Sequence, residues 1–332
     1  MINRICSSDF KPSQSIWRVC LSLHKSKVLR IPTIHFITNN MPLEEFLLTI
    51  IKKKHIKHLK TSNQYVIRNI YRSLDALSLV NKVISHFEHL KSETFSYTNS
   101  KHTASLEEFW SNMRPNIRRL AYSIVTKDGH NTNTIEYEGI QYWSNDWSEV
   151  GFQSFDPTTD FRSMGLLGLH QLVYMSRYHN ETAIDILLES NHPRRFFPFA
   201  ATGINITHFV LTLLLERRLD LLFYQSLDDN TEYLNWINST VELDQISSFI
   251  NAYTGTTGTG HKHSREHLSH SKYSRTLLEA LYTIVNNVYV LIYMDFIMLW
   301  RERDPFNVMA FKDIFGEVKN KALARYPDPR QS

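Results

Sequence analysis

The sequence predicts an all-α protein with a multi-helix fold and no substantial sheet. Glycine and proline are scarce, with ten of each in 332 residues, and a shortage of both helix breakers favours long helices over a turn-rich β fold. From Met41 onward, apolar residues recur with the spacing of amphipathic helices, and no stretch shows the strict alternation of a half-buried strand. With 42% hydrophobic residues, the chain is able to bury the core of one large domain or of two modest ones.

The first forty residues are basic and poor in acids. Asp9 stands alone against six cations, which are Arg4, Lys11, Arg18, Lys25, Lys27 and Arg30. We expect residues 1–40 to form a poorly ordered segment. A basic, acid-poor start also resembles an organelle transit segment, and the sequence leaves this alternative open.

Residues 41–104 are predicted to form amphipathic helices that pack on the core of the protein. One helix lies within Pro42–Lys54 and another spans Val66–Leu90, and the apolar residues of each repeat with a helical period. The two apolar stripes consist of Leu43, Phe46, Leu47 and Ile50, and of Val66, Ile70, Leu74, Leu77, Leu79, Val83 and Phe87. The polar stretch Ser92–Thr103 separates these helices from the main domain.

The main domain is predicted over residues 105–321, and residues 322–332 are predicted to form a tail. It begins with a short helix that Pro115 ends, followed by a helix over Asn116–Ile124. Thr126–Gly139 is rich in turn residues and predicts a loop or a local hairpin. Apolar helices are predicted at 165–178, 183–188, 197–215, 219–226, 277–300 and 306–323.

Charge, cysteine content and hydropathy narrow the class of protein. The chain has 37 basic and 33 acidic residues, a mild excess that requires no nucleic-acid partner, and no nucleic-acid-binding signature accompanies it. Cys6 and Cys20 are too few for a disulfide framework, which fits a reducing compartment. The apolar run around Val288–Met294 is far shorter than the ~18 to 20 residues of a membrane span. We expect a cytoplasmic protein with no transmembrane segment.

The usual signatures of a self-contained active site fail in this sequence. Gly255–Gly260 resembles a phosphate loop but lacks the following Lys-Ser/Thr, so a surface loop is the better interpretation. The polar, His-rich loop 255–274 also carries His261, His263, His267 and His270 with Glu266. Four histidines would bind zinc if the segment became helical, but a polar loop needs no metal to explain it, and we expect no metal site. We interpret His170 as a packed or surface residue.

The most informative segment is Trp147–Tyr174, where a polar loop leads into an apolar helix. Asp156 and Pro157 form a helix-start signal, because Asp caps unpaired N–H groups and Pro suits the first helical position. Arg162 lies at the junction of the loop and the helix. From the residues alone it is either a structural clamp that pairs with Asp160, Glu149 or Asp146, or a cation presented to phosphate in another protein.

Three blocks of sequence, in order, resemble the ELMO domain of ELMO domain-containing proteins. Together they cover Leu106 to Lys321 closely. The first block is Trp147-x-x-x-Gly151-Phe152-Gln153, then Asp156-Pro157-x-Thr159-Asp160-Phe161-Arg162, then Met164-Gly165-x-Leu167-Gly168-Leu169. The second is Ser190–Thr207, SNHPRRFFPFAATGINIT, and the third is the C-terminal segment with Phe296, Trp300, Met309 and Phe315.

The resemblance implies an all-helical GTPase-activating protein (GAP) for small GTPases of the Arf and Arf-like class in membrane traffic. Arg162 matches the catalytic arginine of that family, so the chain would complete the active site of a GTP-bound partner. GTP and Mg²⁺ would be carried by the GTPase, and membrane association would be peripheral, through that partner. The loop-positioning or GTPase-binding residues would be Trp147, Gly151, Phe152, Gln153, Asp156, Pro157, Thr159, Asp160 and Phe161. The alternative is a non-catalytic ELMO-type scaffold or adaptor that binds small GTPases or their exchange factors.

At two positions the sequence departs from the family pattern. The family usually has glycine after Gly151-Phe152-Gln153 and directly after the arginine, whereas this chain has Ser154 and Ser163. If either position requires a positive φ, serine is expected to strain the loop.

Overall fold

Helices make up most of the regular structure, which confirms the predicted all-α class. The computed structural model describes residues 12–38, 43–53, 64–115, 145–240 and 273–328, with four two-residue strands between 124 and 141. The helices are α1 Pro12–Lys25, α2 Arg30–Thr38, α3 Leu43–Lys53, α4 Gln64–Ser92, α5 Ser100–Met113, α6 Gly165–Tyr178, α7 Asn180–Ser190, α8 Phe199–Leu215, α9 Asp220–Asp229, α10 Thr231–Thr240, α11 Tyr273–Arg303 and α12 Phe311–Arg325. Short 3₁₀-helices cover Asn145–Val150, Pro157–Ser163 and Val308–Ala310.

The strands form two small antiparallel pairs. β1 (Ile124–Val125) pairs with β2 (Asn131–Thr132), and β3 (Glu136–Tyr137) pairs with β4 (Ile140–Gln141). They confirm the local hairpin predicted around residues 126–139. The helix predicted over residues 116–124 is wrong at Ile124, which belongs to a strand, and its other residues lie outside the described part of the chain.

The chain divides into two compact units. The first consists of Met1–Ile84, Arg217–Ile284 and Pro329–Ser332, and the second of Ser85–Glu216 and Val285–Asp328. The division differs from the predicted consecutive domains, since residues 105–321 contribute to both units. The predicted tail 322–332 begins inside α12, where Ala322 is buried.

In the first unit, α1 packs against α9 and α2 packs against both α1 and α3. Ile16, Val19 and Leu23 are buried on one face of α1, at helical spacing. The expectation of a poorly ordered segment over residues 1–40 is therefore corrected for residues 12–38. The basic composition of the segment suggested disorder, but its apolar residues repeat every three to four positions, which is the spacing of a helix.

A network of buried polar groups accompanies this packing. Arg217 donates from Nε to Asp220 Oδ2 at 2.9 Å and from a terminal nitrogen to Asn81 Oδ1 at 2.7 Å. Burial raises the pKa of the Cys20 thiol to about 12. Because the thiolate is the reactive form, Cys20 is an inert core residue.

In the second unit, α6 packs against α5, α7 and α8. Aromatic side chains fill the core between α8, α11 and α12, and the rings of Phe199 and Tyr293 stack at 5.2 Å. The Tyr293 hydroxyl donates to the Phe199 carbonyl at 2.7 Å. This core supports the segment that carries Arg162.

One described helix has the length and composition of a membrane span. It covers Arg275–Arg303, within α11, and 61% of its apolar window is buried inside the structure. A mostly buried core helix of a soluble protein has the same properties, so the expected absence of a transmembrane segment stays a prediction. Residues 241–272 lie outside the described part of the chain, and with them nearly all of the His-rich loop, so the expectation of no metal site there stays a prediction.

Candidate functional site

Arg162 lies on a loop whose two ends are fixed by glycines, and we call Gly151–Gly165 the arginine loop. Gly151 has φ +82° and Gly165 has φ +52°, a region that favours glycine. A Cβ at Gly151 would lie 2.1 Å from the Phe199 nitrogen, and a Cβ at Gly165 would lie 2.2 Å from the Lys91 carbonyl oxygen. Backbone packing at both ends therefore excludes any side chain and fixes where the loop begins and ends.

Three aromatic residues anchor the loop to the second unit. Trp147, Phe152 and Phe161 are buried. The rings of Trp147 and Phe152 meet edge to face at 5.6 Å, as do those of Phe152 and Phe161, a favourable arrangement for aromatic pairs. The sequence predicted that these residues either anchor the loop or contact a partner. Because their side chains are buried, they anchor the loop.

Asp156 and Pro157 start a 3₁₀-helix rather than the long helix that the sequence suggested. Asp156 Oδ1 accepts from the Thr158 backbone nitrogen at 3.0 Å and from the Thr158 hydroxyl at 2.7 Å. Pro157 is the first residue of the 3₁₀-helix, which ends at Ser163, and α6 begins after it at Gly165. Arg162 thus projects from a short, capped turn.

Further hydrogen bonds close the loop on itself. The Gln153 backbone nitrogen donates to Asp160 Oδ2 at 2.8 Å, and the Thr159 hydroxyl donates to the Asp156 carbonyl at 2.9 Å. Burial raises the pKa of Asp160, and this effect is opposed by the Gln153 hydrogen bond and by the charge of Arg162. Asp160 and Thr159 therefore position the loop, whereas the Gln153 side chain is exposed.

Neither serine strains the loop. Among the described non-glycine residues, positive φ occurs at Arg217 and Asp304, and not at Ser154 or Ser163. Ser154 instead adds contacts: its hydroxyl donates to the Asp156 carbonyl at 2.7 Å and accepts from the Asp156 nitrogen at 3.2 Å. Ser163 is exposed. The loop tolerates both departures from the family pattern.

The Arg162 side chain is exposed and lightly held. Its Nε donates to the Thr159 carbonyl at 2.7 Å, and the terminal guanidinium nitrogens donate to no described residue. No described carboxylate forms a salt bridge with it. Asp160 accepts from Gln153, and Glu149 pairs instead with Arg114 at 3.3 Å. The salt bridges that a structural clamp would need are not formed, and the planar cation faces solvent.

The arginine loop also carries an exposed apolar side chain. Phe155, on the same loop, is 40% exposed, and Gln153 and Ser163 are exposed as well. Arginine and aromatic residues are enriched among the residues that anchor protein interfaces.

Sequence reasoning missed the segment that supports the loop from outside. Residues 93–97, which we call the brace, connect α4 to α5. The Glu93 carbonyl accepts from the Leu166 nitrogen at 3.0 Å, the Phe95 ring lies 5.9 Å from that of Phe161, and the Tyr97 hydroxyl donates to Asp156 Oδ1 at 2.7 Å. Two aromatics in an otherwise polar stretch were the available signal, but the sequence interpretation treated Ser92–Thr103 as a separator.

The second block of family-like sequence holds the loop from the other side. Asn191 donates from Nδ2 to the Glu149 carbonyl at 3.1 Å, and the Ala201 nitrogen donates to the Gly151 carbonyl at 3.1 Å. From the third block, the Trp300 indole donates to the Arg195 carbonyl at 2.9 Å.

His170 is exposed on α6 and is a surface histidine.

The sequence of this chain is similar to those of several curated proteins. The chain is 32% identical to ELMO domain-containing protein B of Dictyostelium discoideum over 177 residues, which cover 53% of this chain and 55% of the relative. It is 30% identical to ELMO domain-containing protein 2 of Mus musculus over 205 residues, 61% of each chain. The chain therefore spans less than two thirds of the length of these relatives. No solved structure matches it significantly.

A family model agrees with these relatives. The model describes the ELMO/CED-12 family and matches residues 85–315. That range contains the brace, the arginine loop and the helices that hold them. Since the match covers well over half of the sequence, the chain belongs to the ELMO/CED-12 family.

Proposed function

We propose that this protein is a GTPase-activating protein for small GTPases of the Arf and Arf-like class, and that Arg162 is its arginine finger. One observation carries the proposal: an exposed guanidinium, without a salt bridge to any described residue, projects from a capped turn with rigid supports. Membership of the ELMO/CED-12 family supports the choice of a small GTPase as partner. The Arf and Arf-like class comes from the resemblance of the Arg162 block to the catalytic members of that family.

The chemistry of GTP hydrolysis explains the need for an arginine. Phosphoryl transfer to water spreads negative charge over the γ-phosphate oxygens and the leaving oxygen. A planar guanidinium contacts two oxygens at once, which the compact ammonium of lysine does not reproduce. A finger supplied by a second protein typically accelerates hydrolysis by ~10³ to 10⁵, or ~4 to 7 kcal/mol of barrier.

The proposal divides one active site between two proteins. The GTPase holds GTP and Mg²⁺ and the attacking water, and this chain contributes Arg162 and the loop that presents it. Phe155 and Gln153 are exposed on the arginine loop, and we expect them to contact the partner. The protein would act in the cytoplasm and reach organelle membranes through its membrane-attached GTPase.

The test is a single-turnover GTP-hydrolysis assay with a panel of GTP-loaded Arf and Arf-like GTPases. We expect the wild-type chain to accelerate one or more of them and Arg162→Lys to lose ~10³-fold or more of that acceleration. Arg162→Lys keeps the charge, so its thermal unfolding temperature should equal that of the wild type. Arg275→Lys is the matched control, because Arg275 is highly exposed and pairs with Glu279 on the same helix at 3.2 Å.

The scaffold alternative predicts a different pattern in the same assay. A scaffold would bind a GTPase, retain that binding in Arg162→Lys, and never accelerate hydrolysis. If the wild-type chain forms a stable complex with a GTP-loaded GTPase whose hydrolysis rate stays unchanged, the GAP proposal fails.

A further inference from the structure

The brace contacts both ends of the 3₁₀-helix within the arginine loop, and it also contacts the beginning of α6, just beyond that loop. Tyr97 reaches Asp156 at the start of the 3₁₀-helix, Phe95 packs on Phe161 at its end, and the Glu93 carbonyl binds Leu166 at the beginning of α6. Phe161 directly precedes Arg162. The brace therefore controls both ends of the turn from which the arginine projects.

Of the three brace contacts, the one between Tyr97 and Asp156 involves the carboxylate that caps the 3₁₀-helix. Asp156 Oδ1 accepts three hydrogen bonds, two from Thr158 within the loop and one from the Tyr97 hydroxyl at 2.7 Å. Among the described residues, Tyr97 is the one donor to this carboxylate from outside the loop. The Tyr97 hydroxyl therefore links the brace directly to the residue that caps the 3₁₀-helix.

The brace itself is tied to the fold. The Ser96 nitrogen donates to His102 Nδ1 at 3.1 Å, and His102 Nε2 lies 3.2 Å from Glu93 Oε1. The Phe95 and Tyr97 rings meet edge to face at 5.1 Å. Tyr97 is thus a fixed point against which the loop is aligned.

Arg162 has little else to define its position. Among the described residues, its side chain hydrogen-bonds to the carbonyl of Thr159 within the same turn and to no other group, so the guanidinium follows the orientation of that turn. A displacement of 1 Å costs a catalytic group on the order of 10²-fold in rate. We propose that Tyr97, acting through the Asp156 cap, is the positioning residue for Arg162. This inference rests on the proposed GAP function.

The experiment compares Tyr97→Phe with the wild-type full-length chain. Phenylalanine keeps the ring that packs on Phe95 and removes the hydroxyl that binds Asp156. We expect the maximal GTPase stimulation at saturating protein to fall about tenfold, with the half-saturating concentration unchanged, because docking does not depend on the hydroxyl. Hydrogen exchange, measured by mass spectrometry, should accelerate at the amides of residues 153–164.

Tyr174→Phe is the matched control. The Tyr174 hydroxyl donates to Asn287 Oδ1 at 2.8 Å, a hydrogen bond of similar length that lies outside the arginine loop. Its loss should leave both the stimulation and the exchange of residues 153–164 at wild-type values. A double variant that combines Tyr97→Phe with Asp156→Ala should be no less active than Asp156→Ala alone, since both changes remove the same contact.

The outcomes separate this inference from the function it rests on. If the wild-type chain accelerates no GTPase, the proposed function fails, and the positioning role in catalysis fails with it. If the wild type is active but Tyr97→Phe matches it in maximal stimulation and in loop exchange, the positioning role alone is overturned. Equal losses in Tyr97→Phe and Tyr174→Phe would indicate a general loss of stability and overturn it as well.

Discussion

At the scale of single residues, the arginine loop depends on side chains that bind their own backbone. Ser154 is the clearest example, because its hydroxyl joins the Asp156 carbonyl, the Asp156 nitrogen and the Thr159 hydroxyl. A glycine there would leave the loop with fewer constraints and a more flexible chain. The sequence suggested that Ser154 would strain the loop, whereas in the structure its hydrogen bonds stabilise the loop.

Ser154→Gly tests this reinforcement. We expect the free energy of unfolding to fall by about 1 to 2 kcal/mol, since the variant loses hydrogen bonds and gains backbone freedom in the unfolded state. Urea denaturation measures the change. Ser163→Gly is the control, because Ser163 is exposed and its hydroxyl bonds to no described residue, so its cost should be smaller. Equal losses in the two variants would mean that the Ser154 hydrogen bonds contribute nothing.

At the scale of elements, helices with periodic apolar residues were predictable and contact-dependent elements were not. α6 has the predicted bounds, and α4 exceeds its prediction by two residues at each end. The helices α1, α2 and α10 and the 3₁₀-helix over Asn145–Val150 were missed. The 3₁₀-helices over Pro157–Ser163 and Val308–Ala310 lie where the sequence predicted helical turns of the α type. The brace and the Gly165 conformation depend on contacts between residues about seventy positions apart, and a pattern of local spacing carries no information about such contacts.

Gly165 separates the 3₁₀-helix of Arg162 from α6, and Gly165→Ala tests that junction. A Cβ there meets the backbone oxygens of Lys91 and Glu93 at 2.2 and 2.6 Å, and the left-handed φ of +52° adds strain. We expect the free energy of unfolding to fall by about 2 to 5 kcal/mol, as measured by urea denaturation.

Gly316→Ala is the matched control for that substitution. Gly316 lies within α12, and nothing lies within 4 Å of a Cβ at that position. Alanine in an open helical position should stabilise the protein by about 0.5 to 1 kcal/mol. A neutral Gly165→Ala would show that the loop end can move away from the brace, and the argument for a fixed loop end would fail.

At the scale of the whole molecule, the sequence predicted the fold class but not which distant segments pack into each compact unit. The helix α9 packs with the N-terminal helix α1 in the first unit, although the sequence places α9 within the domain predicted over 105–321. Such a division depends on which distant segments pack together. Apolar periodicity shows that a helix has a buried face, but it does not identify the partner that covers that face.

The extent of the folded protein at its amino end can be tested through Leu23 in α1. Leu23 is buried, and α1 packs on α9 in the first unit. We expect Leu23→Ala to lower the free energy of unfolding by about 2 to 5 kcal/mol, as measured by urea denaturation of the full chain. Val28→Ala, at a position that is 47% exposed, should change the free energy of unfolding by less than about 1 kcal/mol.

If both substitutions leave the free energy of unfolding unchanged, residues 12–38 contribute nothing to the fold, as expected of a poorly ordered basic segment. A loss confined to Leu23→Ala instead makes the first helix part of the folded protein.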